Sequence, residues 1–229
     1  MFRPTVVAVA LTAAFTGLLP AQGSAVRTAS SLSPVRIAAA RASTSAFRID
    51  GLIDEPLWRA VPSISRFVQL EPAEGAPATH ATDARMIITD DAVIIAAKLA
   101  DEPSAFLSTG NGRQQMTAGP FDDYFEVEID AHAEHLTALA LSVSPVGVKR
   151  SWIVTRDGSR DESWNVQWDA MTHVDKDGWS LEIRLPLTEL HIHPGAADWG
   201  VHFTRFSFAR QETDVFGTRA SRATADQGR

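Results

Sequence analysis

The segment Ile49-Asp50-Gly51-Leu52-Ile53-Asp54-Glu55-Pro56-Leu57-Trp58 is the most informative stretch of this chain. A short apolar run reaches Asp50-Gly51, which is a turn dipeptide. Asp54 then stands where a helix N-cap is expected, and an acid and a proline follow in the first turn, where both are favoured. Trp58 comes about one turn later. The segment therefore predicts a turn, a short helix and a Trp side chain that packs onto a core.

Residues 47–216 predict a single all-β domain. Their apolar side chains mostly repeat every two residues, and helical periodicity is nearly absent. Many short strands separated by turn residues, without the spacing of βαβ units, indicate an antiparallel β-sandwich. Residues 175–178 are predicted as a hairpin loop and 187–190 as a single helical turn. The predicted strands are 85–89, 92–99, 124–130, 137–143, 149–155, 166–174, 179–185 and 199–209.

The last predicted strand changes phase along its length. Its apolar residues up to Phe203 lie on one face, whereas Phe206 and Phe208 fall on the other. A β-bulge near Thr204-Arg205 would restore the register. Without a bulge, Arg205 points inward and needs a carboxylate partner.

The two ends of the chain differ in composition from the middle. Residues 1–25 combine Arg3, an apolar run and small residues up to Ala25, which predicts a cleaved secretory signal peptide. Residues 26–46 are predicted as a linker with room for a short edge strand at 35–39, and 217–229 as a disordered tail. We therefore expect an exported protein in the periplasm, at the cell surface or outside the cell, without a membrane-spanning helix.

Composition narrows the class of ligand. The chain has 229 residues, no Cys and a formal net charge of -7. An exported protein without disulfides depends on its core alone for stability. The negative charge argues against nucleic acid and anionic lipid as partners, and it is compatible with a neutral glycan or a cation.

Four segments in order resemble carbohydrate-binding module family 9 and the related domain found ahead of bacterial outer-membrane β-barrels. The first is I-D-G-x-x-D-E-x-x-W, quoted above. The others are D-D-Y-F-E-V-E-I-D at 122–130, S-W-N-V-Q-W-D-A at 163–170 and G-W-S-L-E-I-R-L-P at 178–186. The resemblance implies a jelly-roll-like β-sandwich that binds an oligo- or polysaccharide, often beside a glycoside hydrolase domain.

The same resemblance supplies candidate sugar contacts. Sugar-binding members clamp the terminal sugar between two Trp rings, one of them just before the acidic strand, where this chain has Phe121 instead. Glu126 matches an acidic ligand-contacting position of the family. Trp164 and Trp168 are four residues apart and would share a strand face, although core packing is an equal alternative for both. The predicted carbohydrate-binding residues are thus Phe121, Glu126, Trp164 and Trp168.

The acidic strand also suggests a structural calcium ion, which the family resemblance implies. Alternation places Glu126, Glu128 and Asp130 on one face, and oxygen ligands of this kind suit Ca²⁺. The alternative is an acidic strand face exposed to solvent. The predicted metal ligands are Asp122, Asp123, Glu128 and Asp130.

We therefore predict a secreted, non-catalytic carbohydrate-binding domain that supports polysaccharide catabolism, with no catalytic residues of its own. One alternative is a structural or interaction module of an outer-membrane β-barrel, which the missing clamp Trp favours. Another is an O-glycosyl hydrolase. That activity needs two acids facing each other across about 5–10 Å of cleft, and neighbouring acids on one strand are poorly placed for it.

Overall fold

The computed structural model describes residues 40–102, 123–131, 136–155, 158–164, 166–190, 192 and 199–217. Within these ranges the chain forms two β-sheets and three short 3₁₀ helices. None of the described helices is long and apolar enough to span a bilayer. The strands are β1 (Ala40–Ala42), β2 (Val68–Glu71), β3 (Thr82–Thr89), β4 (Ala92–Ala100), β5 (Tyr124–Asp130), β6 (Thr137–Val143), β7 (Lys149–Thr155), β8 (Arg160–Asp161), β9 (Asp169–Asp175), β10 (Gly178–Pro186), β11 (Gly200–Ser207) and β12 (Glu212–Phe216).

The two sheets pack face to face as a β-sandwich. One has five strands in the order β1-β3-β4-β10-β9, and the other has seven in the order β2-β12-β11-β5-β6-β7-β8. All neighbouring strands are antiparallel except β1 and β3. Alternate side chains of the central strands, such as Ile95, Ile183 and Val127, fill the space between the sheets. The predicted all-β sandwich is therefore confirmed.

The outer face of the five-stranded sheet is covered by the segment quoted first. A 3₁₀ helix at Pro56–Ala60 buries Trp58, whose ring lies 5.0 Å from that of Phe47 between centroids. Trp58 packs in a second apolar cluster that includes Ile94 of β4. The residue that precedes this helix is Glu55, so the predicted N-cap at Asp54 is wrong by one position.

Two of the four sequence motifs meet at Glu182 of β10. Its Oε2 accepts hydrogen bonds from the backbone N–H groups of Asp50 and Gly51 at 3.0 and 3.1 Å. Its Oε1 accepts one from Nε1 of Trp58 at 3.2 Å. Gly51 has φ +85°, and a Cβ there would lie 2.6 Å from the backbone of Thr172, so this position requires glycine. These contacts explain why I-D-G…W and G-W-x-x-E occur in one chain.

Most predicted strands match the structure. The strands at 124–130, 137–143 and 149–155 are correct to the residue. The strand predicted at 166–174 begins only at Asp169, and the prediction missed β2, β8 and β12. Part of the predicted linker belongs to the fold, because β1 and the 3₁₀ helix Thr44–Ala46 lie within it. The predicted signal peptide, the edge strand at 35–39 and residues 218–229 lie outside the described residues.

Arg205 settles the phase change in β11. The register of β11 with both neighbours is continuous, so the predicted bulge is absent and Arg205 points inward. Its guanidinium donates to the Asp101 carboxylate at 2.8 Å and to the Ala100 carbonyl at 2.7 Å. Both charged side chains of this ion pair are 2% exposed. The inward Arg therefore has the carboxylate partner that the sequence required.

Candidate functional site

A row of buried polar side chains lies on the outer face of the seven-stranded sheet. Glu126, Glu128 and Asp130 project from β5 on the side opposite to the core residue Val127. Because antiparallel partners share a face, the register brings further side chains beside them. We call this set the polar face; its members are Glu126, Glu128, Asp130, Ser142, Trp152, His202 and Thr204.

Its three acids are not exposed to solvent. Glu126, Glu128 and Asp130 are 2%, 5% and 5% exposed, so the alternative of a solvated strand face is wrong. Charged groups avoid burial unless they have partners, and such groups concentrate at functional sites as well as in structural networks. The polar face is therefore the strongest candidate site among the described residues.

Trp152 has a buried donor that lacks an acceptor. In the register, Glu128 lies beside Ala140, which in turn lies beside Trp152. The indole is 4% exposed, and no described hydrogen bond satisfies its Nε1. The guanidinium of Arg160 stacks over the ring at 4.5 Å from its centroid. An unpaired buried N–H costs about 1–3 kcal/mol, which an acceptor on a ligand can offset.

His202 lies directly opposite Glu128 across the β5–β11 pair. Its Nδ1 is 3.2 Å from the carbonyl oxygen of Gly217. Because a carbonyl only accepts, Nδ1 carries the hydrogen in this contact. The Gly217 contact thus sets the orientation of the imidazole ring beside the acids.

A partly exposed aromatic pair stands at the end of the polar face. The rings of Tyr124 and Phe206 stack with centroids 5.5 Å apart and an interplanar angle of 27°. These residues are register partners, and the next pair on the same face is Glu126 and Thr204. Aromatic surface therefore adjoins buried carboxylate and hydroxyl groups at a point that solvent reaches.

The structure places the predicted sugar-contacting residues in different parts of the domain. Glu126 belongs to the polar face, and Phe121 lies outside the described residues. Trp164 is 43% exposed, but it precedes β9 and shares no strand face with Trp168. Trp168 is 8% exposed and packs in the core, with the Lys149 ammonium 4.9 Å from its ring centroid. The buried ring of Trp168 does not form the surface platform that the sequence suggested.

The predicted calcium ligands are only partly assembled. Asp122 lies outside the described residues, and Asp123 accepts a hydrogen bond from the backbone N–H of Phe208 at 2.6 Å. Glu128 and Asp130 share the polar face. No group of three or more His, Asp and Glu side chains among the described residues is placed to hold a metal ion. The described acids alone therefore do not form a calcium site.

The sequence analysis missed four residues of this region. The sequence gives Tyr124 no role of its own, and Phe206 enters only through the phase change of the last strand. Trp152 and His202 carry no local motif, since strand pairing alone brings them to the acids. Their signal in the sequence is faint: His202 alternates with the apolar Val201 and Phe203, and Trp152 shares its strand face with Val154, next to which it packs.

Comparison with solved structures agrees with this architecture. Neither a protein-family model nor a curated protein sequence matches the chain. A carbohydrate-binding module family 9 from Caldicellulosiruptor kristjanssonii in complex with cellotriose is similar at 16% identity and TM-score 0.51, over 78% of this chain and 83% of that one. The same kind of module from that organism in complex with glucose gives 16% identity and TM-score 0.53, over 78% and 85%.

A third similar structure comes from Bacteroides uniformis ATCC 8492 and is described as a candidate carbohydrate-binding protein. It is 10% identical, with TM-score 0.53 over 77% of this chain and 86% of that one. Likeness at such low identity shows the fold and leaves the ligand to the site itself. The chain has the β-sandwich fold of carbohydrate-binding module family 9.

Proposed function

We propose that this domain binds carbohydrate on the polar face, with a sugar ring against Tyr124 and Phe206. The observation that carries the proposal is the buried indole N–H of Trp152, for which the described residues provide no acceptor. This N–H belongs to the same sheet face as three buried carboxylates. A sugar hydroxyl both donates and accepts hydrogen bonds. It therefore suits a site that offers carboxylate acceptors and an N–H donor together.

The sugar would make two kinds of contact, one through its hydroxyl groups and one through its apolar C–H face. Hydroxyl groups donate to the Glu126 or Glu128 carboxylate, a charge-assisted bond about twice as strong as a neutral one. The apolar C–H face of the ring lies on the Tyr124–Phe206 pair, where an aromatic contact adds about 0.5–1.5 kcal/mol. A few such contacts correspond to dissociation constants from micromolar to millimolar.

Binding titrations test this proposal directly. Glucose and cellotriose are titrated by calorimetry into the full chain, into Glu126→Gln and into the control Glu74→Gln, whose carboxylate is exposed on another loop. We expect Glu126→Gln to weaken binding about tenfold, because a charge-assisted bond is lost, and Glu74→Gln to bind as the original chain does. Equal binding by all three proteins places the site elsewhere, and no binding by any of them rejects the proposal for these sugars.

Phe121 extends the proposal beyond the described residues. Phe121 precedes β5 in the sequence at the place where sugar-binding members of the similar family have Trp, and we propose that it contacts the sugar. Phe121→Ala should weaken sugar binding by about 0.5–1.5 kcal/mol without loss of the fold. Unchanged affinity would leave Tyr124 and Phe206 as the aromatic surface.

We also propose that the domain is exported and acts in polysaccharide catabolism. The apolar segment at residues 1–25 supports export, and a glycan-binding domain of an exported protein would hold polysaccharide near a hydrolase during catabolism. Mass spectrometry of the secreted protein should show an N-terminus near residue 26. An intact Met1 on the secreted form would contradict export through a cleaved signal.

Calcium remains part of the proposal through Asp122, Glu128 and Asp130. A metal that binds only the folded state raises its stability by mass action. Chelation should then lower the melting temperature, and added Ca²⁺ should restore it. A melting temperature unchanged by chelator would remove calcium from the account.

A further inference from the structure

A second buried polar group lies at the other side of the seven-stranded sheet, on its inner face. Glu212 and Asp214 are two residues apart on β12, and both are buried. Because they are two residues apart on one strand, their carboxyl groups lie on the same face of the sheet. We call these two side chains the carboxyl pair. Two ionised carboxylates so close together repel each other strongly away from water.

Glu212 is the ionised member of the carboxyl pair. It accepts hydrogen bonds from the backbone N–H of Thr79 at 2.8 Å and from the Thr79 hydroxyl at 2.6 Å. Burial works against ionisation, but these donors bring the pKa of Glu212 below its ordinary value. Its negative charge is therefore compensated locally.

Arg205 forms its ion pair with Asp101 and not with Asp214. Arg205 faces Asp214 across the β11–β12 pair, yet its guanidinium forms the buried ion pair with Asp101. The other ionisable groups around the carboxyl pair are at the margin: Arg210 pairs with Glu102 at 3.3 Å, Glu71 of β2 is exposed and His80 precedes β3. The Arg205 charge still lowers the pKa of Asp214, but burial and the Glu212 charge outweigh it.

Asp214 also faces an acceptor that has no donor. Gln69 of β2 is its register partner, and its Nε2 donates to the Pro77 carbonyl at 3.1 Å. The Gln69 Oε1 and the Asp214 Oδ1 are both buried, and neither has a hydrogen-bond partner among the described residues. Two neighbouring acceptors without a hydrogen between them are unfavourable, and a single proton on Asp214 supplies one.

We propose that Asp214 is protonated in the folded domain and that this proton fastens β2 to β12, so that the β2 edge loosens when the proton is lost. The bound group is one proton, which Oδ1 of Asp214 carries and donates to the amide oxygen of Gln69. A buried cation in the same place is the competing occupant, and the experiment below separates the two.

The direction of the pH effect follows from burial. Burial, with the neighbouring Glu212 charge second, raises the pKa of Asp214 to about 7 from an ordinary value of 3.8. The folded state therefore binds more protons than the open state between about pH 4 and pH 7. Stability from this group is complete below that window, falls as pH rises through it, and is gone above about pH 7.

Amide hydrogen exchange tests the proposal on the full chain. After correction for intrinsic exchange, protection of the β2 amides should fall about tenfold for each pH unit between 5 and 7. Asp214→Asn keeps a donor and an acceptor but does not titrate, so its β2 protection should stay constant over this range. The control Asp90→Asn, in the exposed β3–β4 turn, should behave as the original chain does.

Two further results decide the question even if Asp214→Asn folds poorly. Glu182 is another buried acid whose pKa is raised to about 7, so the infrared measurement uses Glu182→Gln. Its spectrum at pH 5.5 should contain a buried carboxylic-acid C=O band that disappears near pH 8. Absence of that band would overturn the proposal. So would recovery of β2 protection at pH 8 on addition of CaCl₂ or NaCl at matched ionic strength, because the occupant would then be a cation.

Discussion

The outer faces of the two sheets both bury carboxylates, but they do so in different ways. On the five-stranded sheet, Glu182 accepts three N–H donors from the segment that covers it. On the seven-stranded sheet, Glu126 and Glu128 share a face with Trp152, whose donor has no described acceptor. On the first face, the chain's own N–H groups satisfy the buried carboxylate. On the second face, a buried N–H has no acceptor among the described residues. The comparison separates a polar group that fastens the fold from polar groups that suit a ligand.

The largest expected effect lies on the outer face of the five-stranded sheet, at Trp58. Trp58→Ala removes a fully buried indole and one donor to Glu182, and it should destabilise the domain by about 3–5 kcal/mol. Urea unfolding of both proteins measures the difference. The matched control is Trp164→Ala at a half-exposed site, where we expect a change of about 0.5 kcal/mol or less. Similar losses for the two variants would mean that the covering segment does not close this face.

A pH series sharpens the same comparison. Burial, with the nearby Glu55 charge as a weaker cause, raises the pKa of Glu182 to about 7 from 4.5. The folded state then holds an extra proton between those values, so the free energy of unfolding should fall as pH rises from about 4.5 to 7. Glu182→Gln should reduce that slope and cost about 1–3 kcal/mol at low pH, since an amide cannot accept from all three donors.

One result would contradict a protonated Glu182. If Glu182→Gln keeps the full pH slope in denaturant titrations, Glu182 is ionised throughout and its three donors outweigh burial. The residual slope in Glu182→Gln belongs to the carboxyl pair, and the double variant with Asp214→Asn should be nearly flat from pH 4.5 to 7.

A smaller effect is expected on the polar face. Trp152→Phe keeps an aromatic ring beneath Arg160 but removes the indole N–H. Sugar affinity should fall by about 0.5–1.5 kcal/mol, the net worth of one hydrogen bond, while stability should change little. Calorimetry with cellotriose and a thermal melt measure the two quantities. A large stability loss with unchanged affinity would make Trp152 part of the fold alone.

The sequence predicted much of the fold because its information is local. Strands such as 124–130 alternate cleanly, and turn residues bound them. β12 escaped prediction because Glu212 and Asp214 point inward, which reverses the usual polar pattern. For β11 the phase change predicted a bulge, and the inward Arg205 was only the alternative to it, because local periodicity cannot choose between the two.

The site was harder to predict for a physical reason. Alternation showed that Glu126, Glu128 and Asp130 share a face, but it could not show that this face is buried, because burial depends on what packs over it. His202 and Trp152 reach the acids through strand pairing across long stretches of sequence. Trp168 shows the reverse case, in which a plausible surface aromatic residue belongs to the core.

The most direct test follows the indole N–H signals of the tryptophans in a ¹H–¹⁵N spectrum during titration with cellotriose, which is long enough to extend from Tyr124 toward Trp152. The Trp152 signal should move as its N–H gains an acceptor, together with backbone signals of β5 and β11. The Trp58 signal should stay in place, because its N–H is already bonded to Glu182. Movement confined to Trp58 and its covering segment, or no movement of Trp152 at saturating sugar, would contradict a carbohydrate site on the polar face.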